Sequence, residues 1–314
     1  MARMNVFRQT NVCMVEPAAF GFNAETAVTN RFQHRGHEQD AAAAARAETM
    51  GLAAALRNAG IAVALAADTP QPPKPDAVFP NNWVSFHADG TVVLYPMHSA
   101  LRRAERREAV IDCVRMQLGF RERRRIDLTK EEEHGRFLEG TGSLVLDHSA
   151  RIAYACRSPR TDESLVRQWS RLMDYEPVLF DASTPDGTPV YHTNVVLWIG
   201  ERIAGAGLEW VAPAQREMLR HRIAAGGRRT VMELSAPQLL AFAGNMLELG
   251  DSAGSRHLVM SAACAASLDP QQHALLRDAG VQALAVAVPT IERLGGGSVR
   301  CMLAEVPVAT KAVA

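Results

Sequence analysis

The sequence predicts an α/β fold: a ring of about five β-hairpin-plus-helix modules. Two observations carry the expectation. A strand–turn–strand–helix pattern recurs along the 314 residues. A short polar motif opens each unit, and Asn82, Glu139, His192, Asn245 and Cys301 fall at intervals of 57, 53, 53 and 56 residues. So regular a period, carried by pattern more than by identity, is the mark of repeated supersecondary units. A doubly wound sheet gives no reason for it.

The elements follow in order. EQDAAAAARAETMGLAAALRNA (38–59) is alanine-rich and stops at Gly60, as a helix does. IAVALA (61–66) reads as a strand, and QPPKP (71–75) as a stiff connection. NNWVSFHADGTVVLYPM (81–97) alternates apolar and polar residues around Asp89-Gly90, a hairpin signal, and a helix with charges on one face is expected near 101–118. EGTGSLVLDHSARIAYACRSPRT (139–161) repeats the hairpin, with a helix from about 162. HTNVVLWIGERIAGAGL (192–208) repeats it before a helix near Pro213, and GNMLELGDSAGSRHLVMSAACAASL (244–268) repeats it again. Cys301 opens the last unit or sits early in it. In such a ring the equivalent strand starts face the axis, so polar residues far apart in sequence converge on one site.

Composition narrows the function. Hydrophobic residues make up 47% of the chain and charged residues 22%, with a formal net charge of zero. That supplies a core but no basic field for nucleic acid or an anionic membrane. The arginine cluster at 121–125 reads as a solvated turn or helix end. No stretch is long and apolar enough to span a bilayer, and MARMNVFRQT lacks the apolar core of a signal peptide. Five cysteines (13, 113, 156, 264 and 301) lack paired spacing, so free thiols in a reducing cytoplasm are expected.

Near the C-terminus, Gly295, Gly296 and Gly297 lead into an apolar run that holds Cys301. By itself this is a turn before a last strand, with a small buried thiol. FPNNW (79–83), FLEGTGS (137–143), YHTNV (191–195), FAGNMLEL (242–249) and GGGSVRCMLAE (295–305) change that reading. Together with VEPAAFGFNAETA (15–27), they resemble the guanidino-group-modifying, or pentein, superfamily over essentially the whole chain. That superfamily includes arginine deiminases, dimethylarginine dimethylaminohydrolases and amidinotransferases. The resemblance is strongest to its citrulline-utilisation hydrolase branch. It implies a five-bladed α/β-propeller of ββαβ repeats, with residues 1–314 forming a single catalytic domain.

The resemblance also implies roles. Cys301 is the nucleophile, His192 the general acid–base, and Glu139 the acid that orients His192 and holds substrate N–H groups. Asp76 and Asn82 match two carboxylate positions that contact a guanidinium in dimethylarginine hydrolases. Arg160, or alternatively Arg103, clamps the substrate carboxylate. Phe22 and Asn23 fall in the lid, and Asn245 lines the site or caps a turn. No cofactor and no metal are expected. The partner is a small amino acid such as citrulline, arginine or a methylarginine, and a homodimer stays open.

The sequence departs from the pattern that binds a cationic substrate. Asn82 and Asn194 stand where relatives carry carboxylates, and Glu-Gly-Thr-Gly (139–142) lacks the second acid of Glu-Gly-Gly-Asp. An amide both donates and accepts, so an Asn-richer cage suits a neutral ureido group. The expectation is therefore a cofactor-free hydrolase acting on a C–N bond through a covalent Cys301 adduct, taking citrulline to ornithine. Dimethylarginine hydrolysis and arginine dihydrolysis or deimination are the alternatives. An amidinotransferase and a non-catalytic pentein binding protein come behind them. LGGGSVRC (294–301) has neither the Lys-Ser/Thr of a P-loop nor the pattern of a dinucleotide turn.

Overall fold

The recurring pattern becomes five three-stranded sheets in the computed structural model, which describes residues 9–36 and 40–308. β1 (Thr10–Glu16) and β2 (Val63–Ala67) pair in parallel, linked through the helix Ala41–Asn58. Leu52 and Leu56 of that helix join Val12, Met14 and Val63 in one apolar packet. β3 (Val84–Phe86) and β4 (Thr91–Leu94) form a hairpin, and β5 (Arg124–Asp127) returns parallel after the helix Glu108–Leu118. β6 (Leu144–Asp147), β7 (Ile152–Cys156) and β8 (Glu176–Phe180) repeat the plan around the helix Glu163–Met173. β9 (Leu197–Ile199), β10 (Ile203–Ala206) and β11 (Thr230–Glu233) repeat it around Arg216–Ala224. β12 (Leu247–Gly250), β13 (Arg256–Ser261) and β14 (Val281–Val286) do so around Ala262–Ser267 and Pro270–Asp278. β15 (Ala304–Pro307) then pairs antiparallel with β1, so one sheet is assembled from both ends of the described chain.

Four modules are thus a hairpin, a helix and a parallel strand, and the fifth differs only in taking its antiparallel pair from β15 and β1; the helix is there because a parallel return needs a crossover. The helix Glu163–Met173 illustrates the local logic. Asp162 caps it by accepting from the Leu165 N–H at 3.0 Å, and Leu165, Val166, Trp169 and Met173 make one buried stripe. Contacts link the sheets in sequence. β15 packs on β3, the turn Gly140–Ser143 on β3, β6 on β9, β9 on β12, and β12 on β1.

Some boundaries depart from the sequence expectation. The first helix begins at Ala41, and residues 38 and 39 lie outside the described residues. The strand expected from Ile61 starts at Val63. The helix expected over 101–118 is split into a 3-10 turn, Leu101–Glu105, and Glu108–Leu118. The tighter turn places Arg102 and Glu105, three residues apart, on one inward face. The arginine cluster runs from a turn into the edge strand β5, where Arg125 pairs with Glu108 and Glu122. Each polar motif also precedes its strand. Asn82 lies in the turn Pro80–Asn82, Asn194 in Thr193–Val195, and Cys301 in Val299–Met302. A strand sends successive side chains to opposite faces, whereas a helical turn groups residues three or four apart on one face. Among the described residues no helix is long and apolar enough to cross a membrane.

Candidate active site

Cys301, His192, Asp76, Asn82, Arg102 and Arg160 line one cavity of about 20 Å³. That is room for about one water. Thr26, Asn30, Phe79, Tyr191 and the three glycines 295–297 complete its wall. Larger clefts of about 110 and 580 Å³ lie around Arg229 and include neither Cys301 nor His192.

The Cys301 thiol is 5% exposed. Burial pushes its pKa up, against the pull of hydrogen bonds from Asn245 and Asn194. The resting sulfur is therefore a thiol, and a thiolate would need a base to form. His192 lines the same cavity. Its Nε2 lies 2.8 Å from Glu139 Oε2. Burial brings the His192 pKa down to about 4, so the imidazole is neutral at rest. Burial also works to raise the Glu139 pKa, but Arg160, His192 and Arg102 together hold it well below the usual carboxylate range. An ionised carboxylate only accepts, so Nε2 carries the proton and Nδ1 keeps the basic lone pair.

Two buried arginines balance the acids. Arg102 forms a two-pronged pair with Glu105, at 2.9 Å for each contact, and donates to Asn82 Oδ1 at 2.8 Å. Arg160 donates to Thr29 Oγ1 from Nε at 2.9 Å and to the Thr26 carbonyl at 2.8 Å, with Glu139 Oε2 at 3.5 Å from Nη1. Burial raises the Glu105 pKa to about 7 even against the pull of Arg102. Residues 22–31 fold over these groups. Asn23 Nδ2 donates to Asp76 Oδ2 at 2.7 Å, and Asn30 Nδ2 to the Gly296 carbonyl at 3.1 Å. Asp76 Oδ1 and Asn82 Nδ2 are buried without a hydrogen-bond partner. One is an orphaned acceptor and the other an orphaned donor.

Placement corrects two sequence expectations. Arg103 stays outside the cavity, its side chain 36% exposed and 3.2 Å from Glu132, while its neighbour Arg102 turns inward. Two adjacent arginines cannot be phased without knowing that the helix tightens to a 3-10 turn there. Phe22 also misses the cavity wall and instead lies beneath the guanidinium of Arg35. Asn245 lies against Cys301 Sγ at 3.2 Å, so its first partner is the sulfur. Glu105 was not singled out. Its signal was the Arg102/Glu105 spacing of opposite charges, which is common on solvated helices too.

Gly142 yields a prediction. A Cβ there would lie 2.6 Å from Asn82 Nδ2 and 2.7 Å from His192 Nδ1. Gly142→Ala therefore pushes against the basic nitrogen itself. We expect kcat/KM to fall about 100-fold, the scale of an ångström-level misplacement. Steady-state kinetics with a thermal melt checks this; a variant with wild-type kcat/KM contradicts it.

Stability should also respond to acid. Between the ordinary histidine value of 6.5 and about 4, the unfolded chain binds a proton at His192 that the folded chain refuses. Stability then rises with pH across that window and is lost as pH falls through it. Glu139, depressed when folded, adds a loss of the same sign below its ordinary 4.5. Glu105, raised to about 7 when folded, works the other way over the same range, so the His192 contribution is read as a difference: in urea melts at pH 7, 5.5 and 4.5 the stability of the wild type relative to His192→Gln should shrink as pH falls.

A family model described as eukaryotic N,N-dimethylarginine dimethylhydrolase matches residues 16–308. A search of curated proteins gave no match. Among solved structures, the N-terminal domain of ArgZ, a cyanobacterial arginine dihydrolase of the ornithine–ammonia cycle, superposes with a TM-score of 0.74 at 16% identity. The match covers 95% of this chain and 98% of that one. AgrE in a ternary complex with ornithine and NAD+ gives a TM-score of 0.74 at 16% identity, covering 97% of this chain and 40% of that one. A dimethylarginine dimethylaminohydrolase adduct gives 0.63 at 14% identity, covering 96% and 100%.

Proposed function

This chain belongs to the N,N-dimethylarginine dimethylhydrolase family of guanidino-group-modifying enzymes, and from that premise we propose that it cleaves the ureido C–N bond of citrulline to leave ornithine. It is a hydrolase of carbon–nitrogen bonds other than peptide bonds. The observation that carries the substrate is the orphaned pair in the cavity, the acceptor Asp76 Oδ1 and the donor Asn82 Nδ2. A ureido group offers both an accepting oxygen and donating nitrogens. A guanidinium only donates and would leave Asn82 Nδ2 unpaired, at the usual cost of a buried, unsatisfied group.

In this reading His192 Nδ1 takes the Cys301 proton and Glu139 steadies the imidazolium. Sγ attacks the ureido carbon, and the bond to the ornithine nitrogen breaks as His192 returns the proton to that nitrogen. A carbamoyl group stays on sulfur. Water, deprotonated by His192, attacks the same carbon, and the C–S bond breaks with the thiol reprotonated. Carbamic acid leaves and decomposes to ammonia and carbon dioxide. Arg160 supplies the cationic contact for the amino-acid carboxylate. The domain reading is a single catalytic unit, and the sequence of sheet contacts supports a closed five-bladed propeller.

The test is to incubate the enzyme separately with citrulline, arginine and dimethylarginine and to assay ornithine, citrulline and ammonia. Ornithine and ammonia should form from citrulline with no added co-reactant. Citrulline accumulating from arginine or dimethylarginine would overturn the assignment. Asp76 favours one second reading, arginine dihydrolysis, because a buried carboxylate with a free oxygen also suits a cation. Ornithine formed from arginine without free citrulline would select it.

A further inference from the structure

Two neutral amides face the sulfur. Asn245 Nδ2 lies 3.2 Å from Cys301 Sγ, and Asn194 Nδ2 lies 3.5 Å from it. Asn245 also grips the backbone: its Oδ1 accepts from the Cys301 N–H at 3.3 Å, and its Nδ2 donates to the Asn194 carbonyl at 3.1 Å. The two turns that carry these residues interlock. A Cβ at Gly244 would lie 1.9 Å from the Val195 carbonyl oxygen, so only glycine lets residue 245 come this close. Both asparagines are buried, at 1% and 3% exposure.

We propose that Asn194 and Asn245 form a neutral cradle that fixes Cys301 and sets the acidity of its thiol by donating to the thiolate. This rests on Cys301 being the nucleophile. A donated N–H favours the charged form of a buried group, whereas a carboxylate in the same place would disfavour it by repulsion. Burial raises the thiol pKa, and the Asn245 amide, the Ser298 backbone, the Arg300 charge and the Asn194 amide lower it, in that order. The other charged and titratable groups around the sulfur are Asp76, Arg102, Arg160, Tyr191 and His192 across the cavity, Glu139 behind His192, and Arg300 next in the chain. None of them donates a hydrogen bond to Sγ among the described residues. The asparagine at 194 therefore acts on the nucleophile, so its meaning for substrate charge is smaller than the sequence alone implied.

The test reads the thiol and not turnover, so it is decided whether or not citrulline is the substrate. Substrate-free enzyme is alkylated with iodoacetamide across a pH series, and modification at Cys301 is followed by peptide mass. Thiolate absorbance of the wild type minus Cys301→Ser gives an independent titration. Asn194→Asp and Asn245→Asp should each raise the Cys301 pKa by about one unit, slowing alkylation about tenfold at neutral pH. The rate should recover at high pH. A purely structural role would change the melting temperature or the limiting rate and leave the pKa in place; unchanged pKa values in both variants would overturn the proposal. If neither aspartate variant folds, Asn194→Ala decides. Removing one donor should again raise the pKa, and an unshifted value counts against the cradle.

Discussion

Cys301→Ser is expected to lower turnover by about 10⁴-fold or more while leaving the fold and substrate binding in place. The magnitude follows from what the substitution removes. A serine hydroxyl at this site has no thiolate to offer, and removal of a nucleophile typically abolishes nearly all of a covalent mechanism's advantage. The substitution is conservative in volume, and the site that receives it is rigid. Asn245 holds the backbone N–H of residue 301 at 3.3 Å whichever side chain is present. The melting temperature should therefore move little. Intact mass should distinguish the proteins further. Wild type quenched during turnover should carry a small covalent adduct on Cys301, and the serine variant should carry none. Full turnover by Cys301→Ser would refute covalent catalysis and return the chain to the binding-protein reading.

The module count and several residues of the cavity were legible in the sequence because the modules recur at a regular interval. Asn82, His192, Asn245 and Cys301 each stand shortly before the first strand of a module or, for Cys301, before β15, and a period of this kind survives when identities do not. Phase within a turn was not legible. Arg102 and Arg103 are chemically the same residue one step apart, and only the 3-10 geometry of Leu101–Glu105 decides which faces inward. The partner of β15 was equally hidden. The repeat runs forward along the chain, whereas the sheet that follows Cys301 is completed by β1, nearly three hundred residues earlier. Asn194 was visible as a departure from a family pattern, but its target was not. A side chain's identity limits what it can donate or accept, and the packing of two turns chose sulfur as the recipient.

Charge placement explains why the site is tightly closed. Asp76, Glu105, Glu139, Arg102 and Arg160 are all at most 3% exposed. Buried ions persist only when paired and hydrogen-bonded. The pairing comes from within the chain: Asn23 and Thr26 donate to Asp76, while Thr26 and Thr29 accept from Arg160. A zwitterionic amino acid offers the same two kinds of partner, a cationic amine and an anionic carboxylate.

Glu139 is where that network has most to lose. It is fully buried and receives His98 N–H at 3.0 Å, His192 Nε2 at 2.8 Å and the Arg160 guanidinium at 3.5 Å, with Arg102 at 4.0 Å. Glu139→Gln keeps the shape and deletes the charge. One half of the new amide donates, so either His98 N–H or His192 Nε2–H meets a donor. Two guanidinium groups also lose a counter-ion where water cannot replace it. Breaking a buried pair by removing one partner costs about 3–5 kcal/mol. We expect a clear fall in melting temperature with that loss. The neutral tautomer of His192 is then no longer fixed with its proton on Nε2, and kcat should drop about 10²–10³-fold, the scale of general acid–base assistance. Glu139→Asp separates the two effects: it restores the charge near Arg160, and with it most of the stability, but it falls short of His192 and stays slow. Thermal melts and kcat for both variants check this. A Gln variant as stable and as fast as the wild type would show that the carboxylate neither orients the imidazole nor holds the arginines.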